Sequence, residues 1–255
     1  MMSTFEENRD AMAKAYEAFT EDEDSYSYQI EWPCIQTLLP DLKNTSILDL
    51  GCGTGRYGFL FEGRQPGSIL GIDISEKMLE IGRGKAKAQN SIVEFQKGDI
   101  NRPENIADAG FDFIFSSAAF HSLPDLSKAF RSIHRLLKNE GTCIVSVMHP
   151  VYTAQYPIAH NGVFPEDEDW NVRYLDKSLR AYVQPWVEYN EEIDNYLSTS
   201  YHHTVSDYIN AIIRAGLTVQ RVEEPAPPKE WKEKFPGRYK AYIETPSFMI
   251  FKLKK

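Results

Sequence analysis

The stretch that decides the fold is Ile47-Leu48-Asp49-Leu50-Gly51-Cys52-Gly53-Thr54-Gly55-Arg56-Tyr57-Gly58, where an apolar run meets a glycine-rich turn. The apolar run 46–50 predicts a buried strand, and a helix is expected to follow the turn. Glycines at alternate positions, Gly51, Gly53 and Gly55, allow a sharp bend and let a ligand lie against main-chain N–H groups. The segment therefore predicts a binding loop at the carboxyl end of a strand.

Further apolar runs follow this loop, separated by helical patterns. They are 68–73, 92–95, 111–115 and 142–148. Runs that are apolar almost throughout are typical of strands buried on both faces, as in a parallel sheet. Strand–helix alternation predicts an α/β fold, a doubly wound and mostly parallel open sheet with helices on both sides.

Several polar residues and glycines predict where the helices begin and end. Ser75 and Asp125 are candidate N-caps, and Gly141 stands just beyond the predicted end of the second of these helices. Thr204 and Asp207 form a predicted capping box, and Gly216 ends that helix. Its predicted buried face consists of Val205, Tyr208, Ile209, Ile212 and Ile213. Strands over 217–222 and 247–252, separated by the proline-rich loop 224–228, are expected to follow.

The chain divides into four predicted segments. Residues 1–45 form an N-terminal helical cap, with a helix over 11–19 and a solvated acidic run, and residues 46–150 form the binding core. Residues 151–203, rich in aromatic and acidic side chains, interrupt the pattern after the fifth strand. Long insertions of this kind are usually functional, so a substrate lid is expected there. Residues 204–255 complete the core with a helix and two strands.

Composition narrows the classes of function. The 255 residues carry a formal charge of −9, which disfavours nucleic acid because such binding depends on cationic side chains that neutralise phosphates. Neither a signal sequence nor a membrane-spanning apolar stretch is predicted. Cys34, Cys52 and Cys143 lie far apart, which suits a reducing cytoplasm and predicts neither a disulfide framework nor a metal site. We expect a cytoplasmic monomer or homodimer.

The glycine turn leaves two ligand classes open. Gly53, Gly55 and Gly58 match the dinucleotide pattern GxGxxG, which predicts a nicotinamide-dependent oxidoreductase but is a weak signal alone. Asp49 argues against a pyrophosphate, because its carboxylate would repel phosphate oxygens and attract a cation. Asp73 ends the next strand, twenty residues past Gly53, where a carboxylate can accept ribose hydroxyls in either class.

The segment 48–55 resembles motif I of class I S-adenosylmethionine-dependent methyltransferases. That resemblance implies a Rossmann-like sheet of seven strands with the last one antiparallel, and S-adenosylmethionine as the cofactor. It implies that Gly51, Gly53 and Gly55 line the methionine portion, that Asp49 holds its ammonium group, and that Asp73 binds the ribose. The further positions that it implies for cofactor binding are Cys52, Thr54, Ile74, Met78, Asp99, Ile100, Ser116 and Tyr28.

The resemblance also implies roles for individual side chains. Ile74 and Met78 would pack on the adenine, while Asp99 would accept a hydrogen bond from its amino group and Ile100 would cover the ring. Ser116 would face the cofactor through its backbone, and Cys52 would act likewise. Tyr28 would close over the cofactor from the N-terminal side.

Two further segments bear on the methyl acceptor. Residues 201–208, with Glu224-Pro225, resemble the tail of the ubiquinone/menaquinone-methylase-like group, which implies a small-molecule acceptor. The fourth strand ends in Phe115-Ser116-Ser117-Ala118, which lacks the Asn/Asp-Pro-Pro-Tyr/Phe motif of enzymes that methylate amino groups of DNA bases or glutamine. Oxygen and nitrogen acceptors stay open. A non-catalytic cofactor-binding module and methylation of tRNA or rRNA stay open as well.

Candidate residues for the acceptor side follow from position in the predicted sheet. His121 and His149 come just after the fourth and fifth strands, so each is a candidate general base, or equally a structural histidine. The candidate substrate-contacting residues are Tyr152, Trp170, Trp186 and His203. Aromatic side chains in the insertion could wall an apolar substrate or merely pack the insertion onto the core.

Overall fold

The computed structural model describes residues 5–155, 172–183 and 197–255. Its strands are β1 (Ser46–Leu50), β2 (Ser68–Asp73), β3 (Val93–Lys97), β4 (Phe111–Ser117), β5 (Leu137–Met148), β6 (Leu179–Val183), β7 (Leu197–Tyr201), β8 (Thr218–Glu223) and β9 (Phe248–Lys254). Its helices are α1 (Phe5–Glu21), α2 (Trp32–Leu38), α3 (Arg56–Glu62), α4 (Glu76–Gln89), α5 (Leu126–Leu136), α6 (Pro150–Thr153), α7 (Val205–Arg214), α8 (Trp231–Lys234) and α9 (Pro236–Glu244). A π-helix, Ser27–Glu31, precedes α2, and a 3₁₀ turn, Phe120–Ser122, follows β4.

Seven strands form one sheet in the order β3-β2-β1-β4-β5-β9-β8. Strand β9 runs antiparallel to both of its neighbours, and the other pairs are parallel. The predicted doubly wound, mostly parallel sheet with an antiparallel last strand is therefore confirmed. The chain leaves β1 towards β2 on one side and later returns to β4 on the other, which creates a crevice at their carboxyl ends. Ligands bind in such crevices of open α/β sheets.

Both faces of the sheet are covered, which explains why its strands are apolar almost throughout. Leu48 and Leu50 point to one face, where they pack with residues of α5 and α7. Ile47 points to the other face and packs with residues of α2 and α3, among them Trp32 and Phe61. Because side chains alternate along a strand, Asp49 lies on the same face as Ile47, beneath α3.

The predicted helix starts are confirmed by capping hydrogen bonds. Ser75 Oγ accepts from Met78 N at 3.2 Å, and Asp125 Oδ1 accepts from Ser127 N at 2.8 Å. Thr204 and Asp207 form a reciprocal capping box at the start of α7. Each bond satisfies a main-chain N–H that the helix itself leaves unpaired.

Three predictions, about the end of α5, the buried face of α7 and the connection after β8, were wrong or incomplete. Gly141 does not end α5, because buried Leu137 already begins β5 directly after the helix and Gly141 lies within that strand. Ile213 is 61% exposed, and Ala211 takes the buried position one helical turn before the end of α7. The connection after β8 contains α8 and α9 beyond its proline-rich part.

Helix α1 extends well beyond the predicted range 11–19 and lies over the carboxyl edge of the sheet. Asp10 Oδ1 accepts from Ser75 Oγ at 2.5 Å and from Lys77 N at 3.2 Å, at the start of α4. Glu17 pairs with Lys85 farther along the same helix. These contacts hold α1 against α4, beside the glycine turn.

The insertion after β5 is partly described. It begins with α6 and contributes the two-stranded antiparallel sheet of β6 and β7. Buried Arg180 donates from Nη2 to Arg173 O at 3.0 Å and to Asp176 O at 2.6 Å, which ties β6 to the preceding segment. None of the helices in the described ranges is long and apolar enough to cross a membrane.

Two glycines of α4 make a matched pair for testing the packing of this helix. A Cβ at Gly82 would lie 2.7 Å from ring atoms of Phe95 and 3.0 Å from Thr54 O, whereas a Cβ at Gly84 would have no atom of the described chain within 4 Å. We expect Gly82→Ala to destabilise the fold by about 1–3 kcal/mol, because it pushes α4 from the glycine turn. Gly84→Ala should stabilise it by up to about 1 kcal/mol through helix propensity. Urea unfolding measures both, and equal effects would contradict this packing.

Candidate active site

The glycine turn after β1 adopts backbone angles that favour glycine. The φ angles of Gly51, Gly53 and Gly55 are +75°, +54° and +88°, all in the left-handed region. A Cβ at Gly51 would lie 2.6 Å from the Cβ of Ala119, and one at Gly55 would lie 2.4 Å from Phe95. The turn is therefore a close-fitting main-chain cradle that larger residues would fill.

Asp49 is a buried acid beneath this cradle. Its side chain is 2% exposed, and its Oδ2 has no hydrogen-bond partner among the residues that the structure describes. Burial, and secondarily the charge of Asp73, raise the pKa of Asp49 to about 8. A buried carboxylate without a partner is unfavourable in its ionised form. A cationic ligand group next to Asp49 would stabilise its ionised form.

Asp73 ends β2 next to the turn and holds it in place. Its Oδ2 accepts from Gly53 N at 2.9 Å, and its Oδ1 accepts from Ser75 N at 2.9 Å. Burial raises the pKa of Asp73 from its ordinary value. Each carboxylate oxygen can accept a second hydrogen bond, so this side chain retains capacity for ligand hydroxyls.

The residues predicted to surround adenine fall into two groups. Met78 is buried, Ile74 is half-buried, and Ile100 reaches the glycine turn, with its Cδ1 3.1 Å from where a Cβ on Gly51 would stand. Asp99, by contrast, is exposed, and its Oδ1 accepts from Asn101 N at 2.8 Å. In this structure Asp99 stabilises a surface turn.

Three small residues complete the crevice. Ser116 Oγ donates to Leu50 O at 2.7 Å and thereby ties the end of β4 to the end of β1. Thr54 is fully buried, and its Oγ1 is without a partner within the described part of the chain. Cys52 is buried in the turn, where its Sγ lies 3.6 Å from Gly53 O.

The N-terminal segment brings a residue to the turn that the sequence did not predict. The Cε1 atom of Tyr16, on α1, would lie 3.1 Å from a Cβ on Gly53, so its ring covers the turn. Burial raises the pKa of Tyr16 to about 12. The signal was absent because the contact joins positions far apart in the sequence, and only the fold of α1 creates it.

Glu31 and Arg56 are two further charged residues that sequence reasoning missed. Glu31 is 0% exposed and accepts hydrogen bonds from the hydroxyls of Tyr57 and Ser117. The guanidinium carbon of Arg56 lies 5.6 Å from the ring centroids of both Tyr28 and Tyr57. Its Nη2 is buried and unpartnered among the described residues. Tyr28 therefore contacts Arg56 through a cation–π interaction.

The two candidate bases differ in their surroundings. His121 is 4% exposed, and its Nδ1 has no partner in the described ranges. Burial, then Arg9 and His203, lower the pKa of His121 to about 3, so its ring is neutral near pH 7. In His149, Nδ1 accepts from Val151 N at 3.1 Å and Nε2 lies 2.7 Å from Glu224 Oε1. Both nitrogens of His149 are occupied, and the residue caps α6.

The predicted substrate residues are only partly brought together. His203 Nε2 lies 2.7 Å from Leu123 O, close behind the 3₁₀ turn that carries His121, and burial lowers the pKa of His203. Tyr152 is half-buried on α6. Trp170 and Trp186 lie outside the described residues. In the ranges that are described, acids, histidines and cysteines form no group of three that could hold a metal ion.

Comparison with known proteins agrees with this geometry. A family described as "Methyltransferase domain" matches residues 41–213. A demethylmenaquinone methyltransferase of Lactococcus lactis is 31% identical over 60% of this chain and 60% of its own length. An uncharacterized protein of Haemophilus influenzae is 28% identical over 97% of this chain and 96% of its own. The crystal structure of an S-adenosylmethionine dependent methyltransferase from Mesorhizobium loti has a TM-score of 0.69 at 28% identity and covers 88% of this chain and 97% of its own.

The seven-stranded sheet, the glycine cradle at its crevice and these comparisons together identify a class I S-adenosylmethionine-dependent methyltransferase. The chain belongs to the methyltransferase domain family, which matches more than half of its length. The enzyme class and the S-adenosylmethionine cofactor predicted from the glycine turn are therefore confirmed, and the nicotinamide hypothesis is set aside.

The burial of Asp49 predicts a pH-dependent change in stability. Asp49 has a higher pKa when folded (about 8) than the ordinary value of 3.8, so the folded state binds its proton more tightly. This contribution favours folding below about pH 4 and is lost as the pH rises to about 8. Asp49→Asn should therefore stabilise the cofactor-free protein at pH 8, by roughly 2–5 kcal/mol, and have a much smaller effect at pH 5.

Urea unfolding at the two pH values measures this effect. Glu80→Gln, an exposed acid on α4, is the matched control and should change little at either pH. An Asp49→Asn variant less stable than the wild type at pH 8 would contradict the buried, unpaired carboxylate.

Proposed function

We propose that this enzyme transfers the methyl group of S-adenosylmethionine to an oxygen or nitrogen atom of a small organic acceptor. The methyl-donor part of the proposal is carried by the buried Asp49 carboxylate, with an unpartnered oxygen among the described residues, beneath the glycine cradle. Two kinds of relative carry names that indicate a small-molecule acceptor. They are demethylmenaquinone methyltransferases and a juvenile hormone acid O-methyltransferase that is 26% identical over 53% of this chain.

The residues present fit the cofactor. Asp49 would hold the ammonium group of its methionine portion, and the buried Nη2 of Arg56 would donate to the carboxylate of the same portion. Asp73 would accept the ribose hydroxyls while it keeps its bonds to Gly53 and Ser75. Gly51, Gly53 and Gly55, with Cys52 and Thr54, would line the main-chain cradle. The side chains that would pack on the adenine are Ile74, Met78 and Ile100.

When bound, S-adenosylmethionine supplies a methyl group on a positively charged sulfur, which a nucleophile displaces in line. What the chain contributes is positioning and exclusion of water, and such contributions supply much of the rate enhancement when reacting atoms are held in line. Tyr16 covers the glycine turn, and the contacts of Asp10 and Glu17 with α4 keep α1 over the crevice.

The acceptor would enter at the carboxyl ends of β4 and β5. His121 stands there with a neutral ring and an Nδ1 atom unpartnered within the described chain, so it would orient an acceptor by accepting a hydrogen bond. His149 is occupied by Val151 and Glu224, so its role would be to fix the start of the insertion. Tyr152 and His203 would contact the acceptor from the insertion side.

A small acceptor also suits the charge of the protein. With a formal charge of −9, the chain lacks the cationic excess that binding to phosphate backbones requires. We therefore propose a small-molecule substrate rather than tRNA, rRNA or DNA, and a cytoplasmic enzyme that acts as a monomer or homodimer.

Calorimetric titration with S-adenosylhomocysteine and with NAD tests the proposed ligand. We expect S-adenosylhomocysteine to bind and NAD not to bind. Asp49→Asn should weaken S-adenosylhomocysteine at least tenfold, since a charge-assisted bond contributes about 1.5–3 kcal/mol. Glu80→Gln should leave the affinity unchanged. Binding of NAD alone, or equal affinities of the Asp49→Asn variant and the wild type, would overturn the proposal.

A further inference from the structure

Glu31, the last residue of the π-helix, is a charged side chain buried at the carboxyl end of the sheet. Its Oε2 accepts from the hydroxyl of Tyr57 at 2.6 Å, and its Oε1 accepts from the hydroxyl of Ser117 at 2.5 Å. The two hydroxyls are the donors, and each carboxylate oxygen of Glu31 accepts one hydrogen bond. Glu31 is thus held in one position by α3 on one side and by β4 on the other.

The sheet register locates this carboxylate next to the cofactor crevice. Asp49 of β1 pairs with Phe115 of β4, and Ser117 follows Phe115 by two residues. Since side chains two apart on a strand share a face, Ser117 and Asp49 project from the same face. Glu31, bonded to Ser117, therefore stands over the β1–β4 crevice, on the β4 side and nearer its open edge than Asp49.

Other charged groups share this space. The hydroxyl of Tyr16 lies in the electrostatic field of Glu31 and Asp73, both of which raise its pKa, and of Arg56, which lowers it. Its ring covers Gly53. Tyr16 is therefore close enough to Glu31, Asp73 and Arg56 to interact with all three electrostatically.

We propose that Glu31 is a specificity-determining carboxylate, which makes the crevice favour the positively charged methyl donor over the neutral product. This inference rests on the proposed function. The sulfur loses its positive charge when its methyl group leaves, so an immobile carboxylate beside the crevice would attract the donor more than the product. Glu31 would thereby promote the exchange of S-adenosylhomocysteine for fresh S-adenosylmethionine.

A purely structural role for Glu31 makes a different prediction. Its two hydrogen bonds also tie the segment 27–38 to β4 and α3, and loss of that link would loosen the crevice for every ligand alike. Ser117→Ala is the matched control, because it deletes one of these hydrogen bonds and keeps the charge.

Calorimetry with three ligands separates the two roles. The ligands are S-adenosylmethionine, S-adenosylhomocysteine and sinefungin. In sinefungin a carbon that bears an amino group replaces the sulfur that bears the methyl group. We expect Glu31→Gln to weaken S-adenosylmethionine and sinefungin about tenfold or more, and S-adenosylhomocysteine less than about threefold, a difference of roughly 1.4 kcal/mol for each tenfold step. Ser117→Ala should keep the wild-type ratios among the three.

Each other result has a distinct meaning. Equal weakening of all three ligands by Glu31→Gln would overturn the inference and leave the proposed function standing. Failure of the wild type to bind any of them would overturn the proposed function itself. The wild type alone also tests the inference, whether or not the variant folds: it should bind sinefungin at least tenfold more tightly than S-adenosylhomocysteine, and equal affinities would contradict the role of Glu31.

Discussion

One electrostatic constraint underlies the site. The carboxylate of Asp49 is buried beneath a turn in which Gly51, Gly53 and Gly55 have left-handed φ angles. Burial and the nearby Asp73 raise the pKa of Asp49 to about 8, so the charge that the site needs for function is unfavourable in the empty protein. A ligand with an ammonium group relieves that cost, whereas a diphosphate would add to it. Binding sites commonly lower the stability of the folded protein while they raise its affinity for a ligand, and here a single side chain, Asp49, has this effect.

The residues around Asp49 hold the glycine turn and the strand ends in place and cover the turn. Asp73 fixes the glycine turn through Gly53 N, and Ser116 ties β4 to β1, so the crevice has a defined width. Helix α1 brings the ring of Tyr16 over the turn. Electrostatic interactions strengthen away from water, so the burial of Asp49 also strengthens its interaction with a bound cation.

Much of this arrangement could be predicted from local sequence. The strand–turn–helix around Gly51, Gly53 and Gly55 is encoded within a dozen residues, and the caps at Ser75, Asp125 and Thr204 are encoded within four.

Tyr16, Glu31 and Arg56 were missed because their contacts join α1, the π-helix and α3, and no spacing along the chain reveals such contacts. His149 looked like a base from its place after β5, but the acceptor of its Nε2 hydrogen bond, Glu224, comes from a distant loop. Ile213 has helical spacing yet is 61% exposed, because α7 turns Tyr208, Ala211 and Ile212 towards the core instead.

Proton release on ligand binding reports directly on the charge of Asp49. If Asp49 is protonated in the empty site and ionised against an ammonium group, binding of S-adenosylhomocysteine at pH 6.5 must release close to one proton per ligand. Calorimetry in buffers of different ionisation enthalpy gives this number. We expect a value near one for the wild type and near zero for Asp49→Asn. Binding without proton release, or the same release in both proteins, would contradict the account.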